Sequence, residues 1–150
     1  MEGVKFSEQI IINCMPAEAF DYTQNYDNRL RWDTFLTKAE LMDGATRADI
    51  GVKAFCVAKN GVGMVTEYVS FNRPRVTAVK MTVGPYMFKT FLGSWNFRDV
   101  GSMQTEVTFL YSFRLRFPFN LATWLIKNNL RINVKQRLKD LKNNIEAQRS

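Results

Sequence analysis

Apolar and polar positions alternate from the start of the chain. Val4, Phe6, Ile10, Ile12 and Cys14 share one face with Glu8, while Lys5, Ser7, Gln9 and Asn13 share the other with Ile11. A period of two is that of a strand with one dry face. The pattern then breaks at Pro16, a residue suited to the first position of a helix. Glu18 and Asp21 favour the positive end of that helix, and Ala17, Ala19, Phe20 and Tyr22 supply its packing groups. A second short helical turn over Tyr26 to Arg31 leads into Trp32. From Phe35 to Val100 the segments are rich in Val, Thr, Phe and Tyr and are punctuated by Asp43-Gly44, Asn60-Gly61, Pro74 and Gly84-Pro85, which predicts a run of strands. Asn60-Gly61 is the strongest hairpin signal among them. In the sixth strand Phe91, Gly93, Trp95 and Phe97 oppose Thr90, Ser94, Asn96 and Arg98. In the seventh, Val107, Phe109, Tyr111, Phe113 and Leu115 oppose Glu106, Thr108, Ser112, Arg114 and Arg116. Both strands thus have one aromatic wall and one wet wall. The segment Met64 to Phe71 lacks clean alternation, so the inward member of the pair Glu67 and Tyr68 stays open.

After Pro118 the period changes. Ala122, Ile126, Leu130, Val134, Leu138, Leu141 and Ile145 recur at spacings of three and four, predicting a helix from Phe119 to Gln148. Leu121, Trp124, Leu125 and Ile132 lie off that stripe. The first half of the helix is therefore apolar around much of its circumference, and protein, ligand or lipid must cover it. The expected architecture is α+β: a curved antiparallel sheet of about six to seven strands against one long C-terminal helix, with two short helices after the first strand. The chain, 1–150, reads as a single domain without repeats, linkers or low-complexity segments.

Composition narrows the chemistry. Two cysteines, Cys14 and Cys56, and no histidine leave too few soft ligands for a zinc site and no imidazole base. No metal and no cofactor are expected, and both thiols read as reduced, inert packing groups. The N-terminus lacks the features of a secretory signal and no apolar run reaches membrane-spanning length, so a cytoplasmic location is expected. The formal charge of +7 is concentrated on the final helix, where seven basic residues face two acidic ones between residues 119 and 150. Lys127, Arg131, Lys135, Lys142 and Arg149 project together beside its apolar stripe. They form either a solvated face or a surface attracted to anionic headgroups. Nucleic acid is not an expected partner, because the aromatic residues lie on the presumed inner face instead of between the basic groups.

The order of elements resembles that of the START-like or SRPBCC superfamily, whose helix-grip fold wraps a sheet around a long last helix. Ile12 with Met15-Pro16-Ala17-Glu18-Ala19-Phe20 is similar to its strand-to-helix junction, and Asn28-Arg29-Leu30-Arg31-Trp32-Asp33 to its Trp segment. Phe71-Asn72-Arg73-Pro74-Arg75 resembles the turn between central strands, and Gly93-Ser94-Trp95-Asn96-Phe97 with Thr105-Glu106-Val107-Thr108 the last hairpin. The resemblance, to a group that includes polyketide cyclase/dehydrase-like and lipid-transfer proteins, implies a hydrophobic cavity between sheet and helix.

On that reading Phe91, Trp95, Phe97, Phe109, Tyr111 and Phe113 line the concave side of the sheet, and Leu121, Trp124 and Leu125 close the cavity mouth. Each alone is better explained as core than as a ligand contact; together they favour a pocket. Tyr111 is the first candidate to orient a ligand, with Tyr68, Glu67 and Glu8 behind it. Trp32 and Asp33 sit where the superfamily has its entrance, and the Trp32 indole N–H is expected to find a backbone partner. Three functions follow: binding or transport of a small hydrophobic molecule of lipid, polyketide or isoprenoid type; a cyclase, dehydrase or hydrolase using Glu67 or Tyr111 as acid or base; and a membrane-peripheral role through the basic helix.

Overall fold

The computed structural model describes residues 3–149, the side chain of Arg149 excepted, so that member of the expected basic face lies outside the described residues. Its elements run β1 (Val4–Ile12), α1 (Pro16–Gln24), α2 (Arg29–Trp32), β2 (Leu36–Leu41), β3 (Lys53–Ala58), β4 (Gly63–Asn72), β5 (Val76–Val83), β6 (Phe88–Gly101), β7 (Gln104–Leu115), a 3-10 turn (Phe119–Ala122) and α3 (Thr123–Arg149). The seven strands form one antiparallel sheet in the order β1-β7-β6-β5-β4-β3-β2. The first strand pairs with the last, so α1 and α2 must carry the chain from one edge of the sheet to the other. The sheet curls into a half-barrel around α3, the expected α+β helix-grip architecture.

Local chemistry explains the boundaries. Pro16 occupies the start of α1 after an extended Met15 (φ −78°, ψ 153°), where its missing N–H would have had no helical partner. Asp43 and Gly44 both have positive φ (57° and 75°) and close the turn in which Ala45 N–H donates to the Met42 carbonyl at 3.1 Å. Asn60-Gly61 forms the expected β3–β4 hairpin, with Gly61 at φ 89° and the Asn60 side chain accepting from Val62 N–H at 3.0 Å.

β6 and β7 alternate as expected: Phe91, Trp95, Phe97, Val107, Phe109, Tyr111, Phe113 and Leu115 are all buried. β4 does not, because the ladder to β5 slips between Tyr68 and Ser70. Val69 is the extra residue, 41% exposed, and after it the inward parity changes from Met64, Thr66 and Tyr68 to Phe71. A second slip at Lys89 lets Phe88 and Phe91 both point inward despite their odd separation.

α3 buries Val134, Leu138, Leu141 and Ile145. Its contacts are with β1, β7, α1 and α2, so the helix holds one side of the curled sheet. At the α1 end the space is filled by Phe20, which meets Phe71 and Phe97 edge-on at 5.2 and 5.4 Å between ring centroids. Toward β3, β4 and β5 the space between helix and sheet stays open.

Candidate functional site

That opening is a cavity of about 530 Å³. Its floor is the concave face of the sheet: Met64, Thr66 and Tyr68 on β4, Thr77 and Val79 on β5, Phe91, Gly93 and Trp95 on β6, and Phe109 and Tyr111 on β7. Its roof is α3, through Leu125, Ile126, Asn129, Leu130, Asn133 and Arg137. Among the lining residues Asn60, Val62, Leu125 and Asn129 are exposed, which puts the mouth between the β3–β4 hairpin and the first turns of α3. Arg29, Tyr68, Trp95, Tyr111 and Arg137 are buried and form the far end. Leu125, Asn129, Asn133 and Arg137 follow one another at intervals of four, one row along the helix. The roof therefore grades from apolar at the mouth to cationic at the base.

Gly93 shapes the floor. It pairs across the sheet with Tyr111, and a Cβ placed on it would lie 3.2 Å from Tyr111 Cε1. The tyrosine ring rests on the space left by the absent side chain, and its hydroxyl then accepts a hydrogen bond from Arg137 Nη1 at 2.7 Å.

The base is an ion cluster. Asp33, fully buried just after α2, accepts from Arg137 Nε at 3.0 Å and Nη2 at 2.8 Å and from Arg29 Nε at 2.9 Å. Phe35 N–H adds a fourth donor at 3.3 Å. Burial by itself would raise the Asp33 carboxyl, but the Arg137 and Arg29 guanidiniums outweigh it and hold the group below its ordinary range. Burial likewise opposes the charge on both arginines, and Asp33 overcomes it, so both stay cationic. Arg29 lies against the Tyr26 and Trp32 rings at 5.6 and 5.1 Å, and Arg137 against Phe35 and Phe109 at 5.1 and 5.2 Å.

A hydrogen-bond chain runs from this cluster around the cavity wall. Gln24 Nε2 donates to Thr23 Oγ1 at 3.0 Å, which leaves Gln24 Oε1 as a pure acceptor facing the Tyr68 hydroxyl at 2.6 Å. Tyr68 therefore gives its proton to Gln24, and the Tyr26 hydroxyl, 2.9 Å away, must donate to Tyr68. Burial pushes both phenols upward, Tyr68 well above the ordinary value. Cys56 also faces the cavity, and burial raises its thiol too, the nearby arginines only partly opposing it. Among the described residues no group of three or more His, Cys, Asp or Glu could hold a metal ion, and no helix is long and apolar enough to cross a membrane.

The residues singled out in the sequence fall into distinct places. Phe91, Trp95, Phe109, Tyr111 and Leu125 line the cavity. Phe97 and Phe113 are packed into the core, Phe113 against Phe88 at 5.7 Å. Leu121 and Trp124 stand outside the cavity and are 73% and 69% exposed, because the protein leaves the outer side of the first helical turns uncovered. Tyr68 is the inward member of its pair, whereas Glu67 is not a lining residue and sits between Lys53 and Lys80 on the neighbouring strands. Glu8 faces α3 and pairs there with Arg131 Nε at 3.7 Å and Lys135 Nζ at 3.5 Å. Two members of the expected basic face are thus drawn onto β1, and Lys142 binds Glu146 and the Ile11 carbonyl. Trp32 differs from expectation: its indole N–H is buried without a partner among the described residues, and its ring is held by Trp95, edge-on at 5.9 Å, and by Arg29. Arg29 and Arg137 were not among the candidates. The available signal was the position of Arg137 between Val134 and Leu141 on the buried stripe, three residues from the first and four from the second.

A family model described as polyketide cyclase / dehydrase and lipid transport matches residues 3–146. Comparison with curated proteins found no match. Among solved structures the chain is similar to the Zhui aromatase/cyclase of a Streptomyces, with 10% identity over 99% of this chain and 97% of that one and a TM-score of 0.85. It is also similar to a protein of Thermus thermophilus (18% identity, 98% and 100% covered, TM-score 0.82) and to a START superfamily protein of Mycobacterium smegmatis (10%, 96% and 98%, 0.76). At such identities the structural likeness carries the fold alone. The family description adds a role in general terms, ligand binding or cyclase-type chemistry.

Proposed function

Because the chain belongs to the polyketide cyclase / dehydrase and lipid-transport family, we propose that it binds and carries a small hydrophobic molecule in the cavity between its sheet and α3. The observation that supports this reading is the cavity itself. About 530 Å³ lined mostly by apolar and aromatic groups, with a few polar ones converging at one end, is the form of a small-molecule site. Ligands of lipid, polyketide or isoprenoid type match its size and lining. Native mass spectrometry of gently purified protein should find an apolar molecule bound, and Val79→Trp, which fills the floor, should abolish its uptake. Protein that is always empty and takes up no member of a lipid panel would refute the proposal.

On the same reading, the proposed place of loading and release is a lipid surface. Phe117, Leu121, Trp124 and Leu125 are exposed around the first turns of α3, and Lys127 and Arg116 flank them. An apolar rim edged with positive charge suits the headgroup boundary of an anionic membrane, so this rim, instead of the partly paired basic face, is the proposed contact. Trp124→Ala and Leu121→Ala should each weaken sedimentation with vesicles of phosphatidylcholine and phosphatidylglycerol.

A second reading is supported by Tyr111. Its oxygen accepts from Arg137, so its own proton is available to a ligand carbonyl, as a general acid requires. Carriage and catalysis separate on Tyr111→Phe: a carrier retains its ligand unchanged in either protein, whereas an enzyme stops converting it in the variant.

A further inference from the structure

The cavity wall carries an unbalanced charge. Arg29 and Arg137 are 7% and 6% exposed and both remain cationic, yet among the described residues Asp33 is the single carboxylate in contact with them. Among the described residues no aspartate or glutamate lines the cavity, Asp33 lying behind the two arginines. Tyr26, Tyr68 and Cys56, which also line the cavity, are held neutral by burial. One positive charge thus stands without a counter-charge, among the described residues, at the buried end of a mainly apolar chamber, a costly arrangement unless something completes it. Arg29 is the member with capacity to spare. It meets Asp33 through Nε alone, and beyond an interaction with the Tyr26 phenol its guanidinium has no further hydrogen-bond partner among the described residues. Tyr111, fixed by Arg137, has a proton left to donate. The Leu125, Asn129, Asn133, Arg137 row then fixes polarity, with uncharged residues at the mouth and the guanidiniums at the base.

We propose that the cavity selects amphipathic ligands bearing a carboxylate, with the carboxylate seated at the base against Arg29 and the Arg137–Tyr111 pair and the hydrocarbon body lying toward Leu125. The assignment rests on the ligand-binding reading above and narrows it to hydrophobic carboxylic acids. A guanidinium in a water-poor site recognises a carboxylate by charge and by its planar fork together, which a neutral hydroxyl or ester cannot match.

The test compares three probes with one chain and different ends: decanoate, decanol and methyl decanoate. Binding is followed by calorimetry and by quenching of tryptophan fluorescence at neutral pH. Decanoate should bind roughly tenfold tighter or more than either neutral probe, the ratio a charge-assisted hydrogen bond to a buried guanidinium sustains. Arg29→Gln should bring the affinities of decanoate and decanol, compared within that variant, to within a few-fold of each other, and Arg29→Lys should restore most of the preference. Equal affinity of the wild-type protein for all three probes overturns the carboxylate assignment while hydrophobic binding stands, and this comparison needs no variant to fold. Binding of none of the three overturns both the assignment and the reading beneath it. An undiminished decanoate preference in Arg29→Gln overturns the role given to Arg29.

Discussion

Asp33→Asn isolates the energetic weight of the buried cluster. The substitution keeps the shape of the side chain and removes its charge, leaving two guanidiniums, each at least nine-tenths buried, facing an amide. Three charge-assisted hydrogen bonds of 2.8–3.0 Å are lost or weakened, and the amide NH₂ points a donor at donors. Removing one partner of a buried ion pair costs about 3–5 kcal/mol, against a total stability of about 5–15 kcal/mol for an ordinary domain. For a chain of this length that corresponds to a fall in Tm of roughly 6–20 °C. Arg29→Met should cost less. It leaves the bidentate Asp33–Arg137 pair intact and neutral, and the loss of one charged hydrogen bond, about 1.5–3 kcal/mol, is offset by removal of the unbalanced charge. Urea unfolding followed by tryptophan fluorescence measures both, with the slope checked for constancy so that midpoints report stability. A cost below about 1 kcal/mol for Asp33→Asn, or one no larger than that of Arg29→Met, would refute the idea that Asp33 neutralises the cluster.

The same carboxyl gives the protein an acid limb. Because its folded value lies below the ordinary one, its contribution is complete above about pH 4 and is lost as pH falls through the depressed value, so urea midpoints should drop on acidification and do so less steeply in Asp33→Asn. The β6–β7 hairpin places Ser102 and Met103 at φ 56° and 59°, a conformation that Asn and Gly adopt more readily, and Met103 is 58% exposed. Ser102→Asn combined with Met103→Gly should therefore stabilise by about 1 kcal/mol, read as a rise in Tm; a fall would show that Met103 packs usefully. Gly93→Val should destabilise by about 1–3 kcal/mol by driving the Tyr111 ring off its seat, and should weaken ligand retention with it. Unchanged Tm and retention would mean that the ring moves freely.

The parts of this fold that were legible in the sequence are those where one face is dry and the other wet. β6 and β7 meet that condition along their length, and the later turns of α3 bury one stripe, so period alone located them. β4 was illegible because a bulge at Val69 changes the inward parity midway, and a pattern of period two cannot report a change of phase. The cavity lining was legible as far as it is aromatic and wrong in emphasis where it is charged. A basic residue on a helix is ordinarily solvated, so Arg137 carried no flag beyond its place on the apolar stripe, and Glu8 was drawn toward α3 by Arg131 and Lys135, a pairing that depends on tertiary placement. Both cases have one cause. Apolar burial is additive along the chain and shows as local periodicity, whereas a buried ion is stable only through partners, here separated by more than one hundred positions between Asp33 and Arg137. Periodicity thus locates the chamber, but the groups that decide what enters it become visible only when distant charges are brought together and found not to cancel.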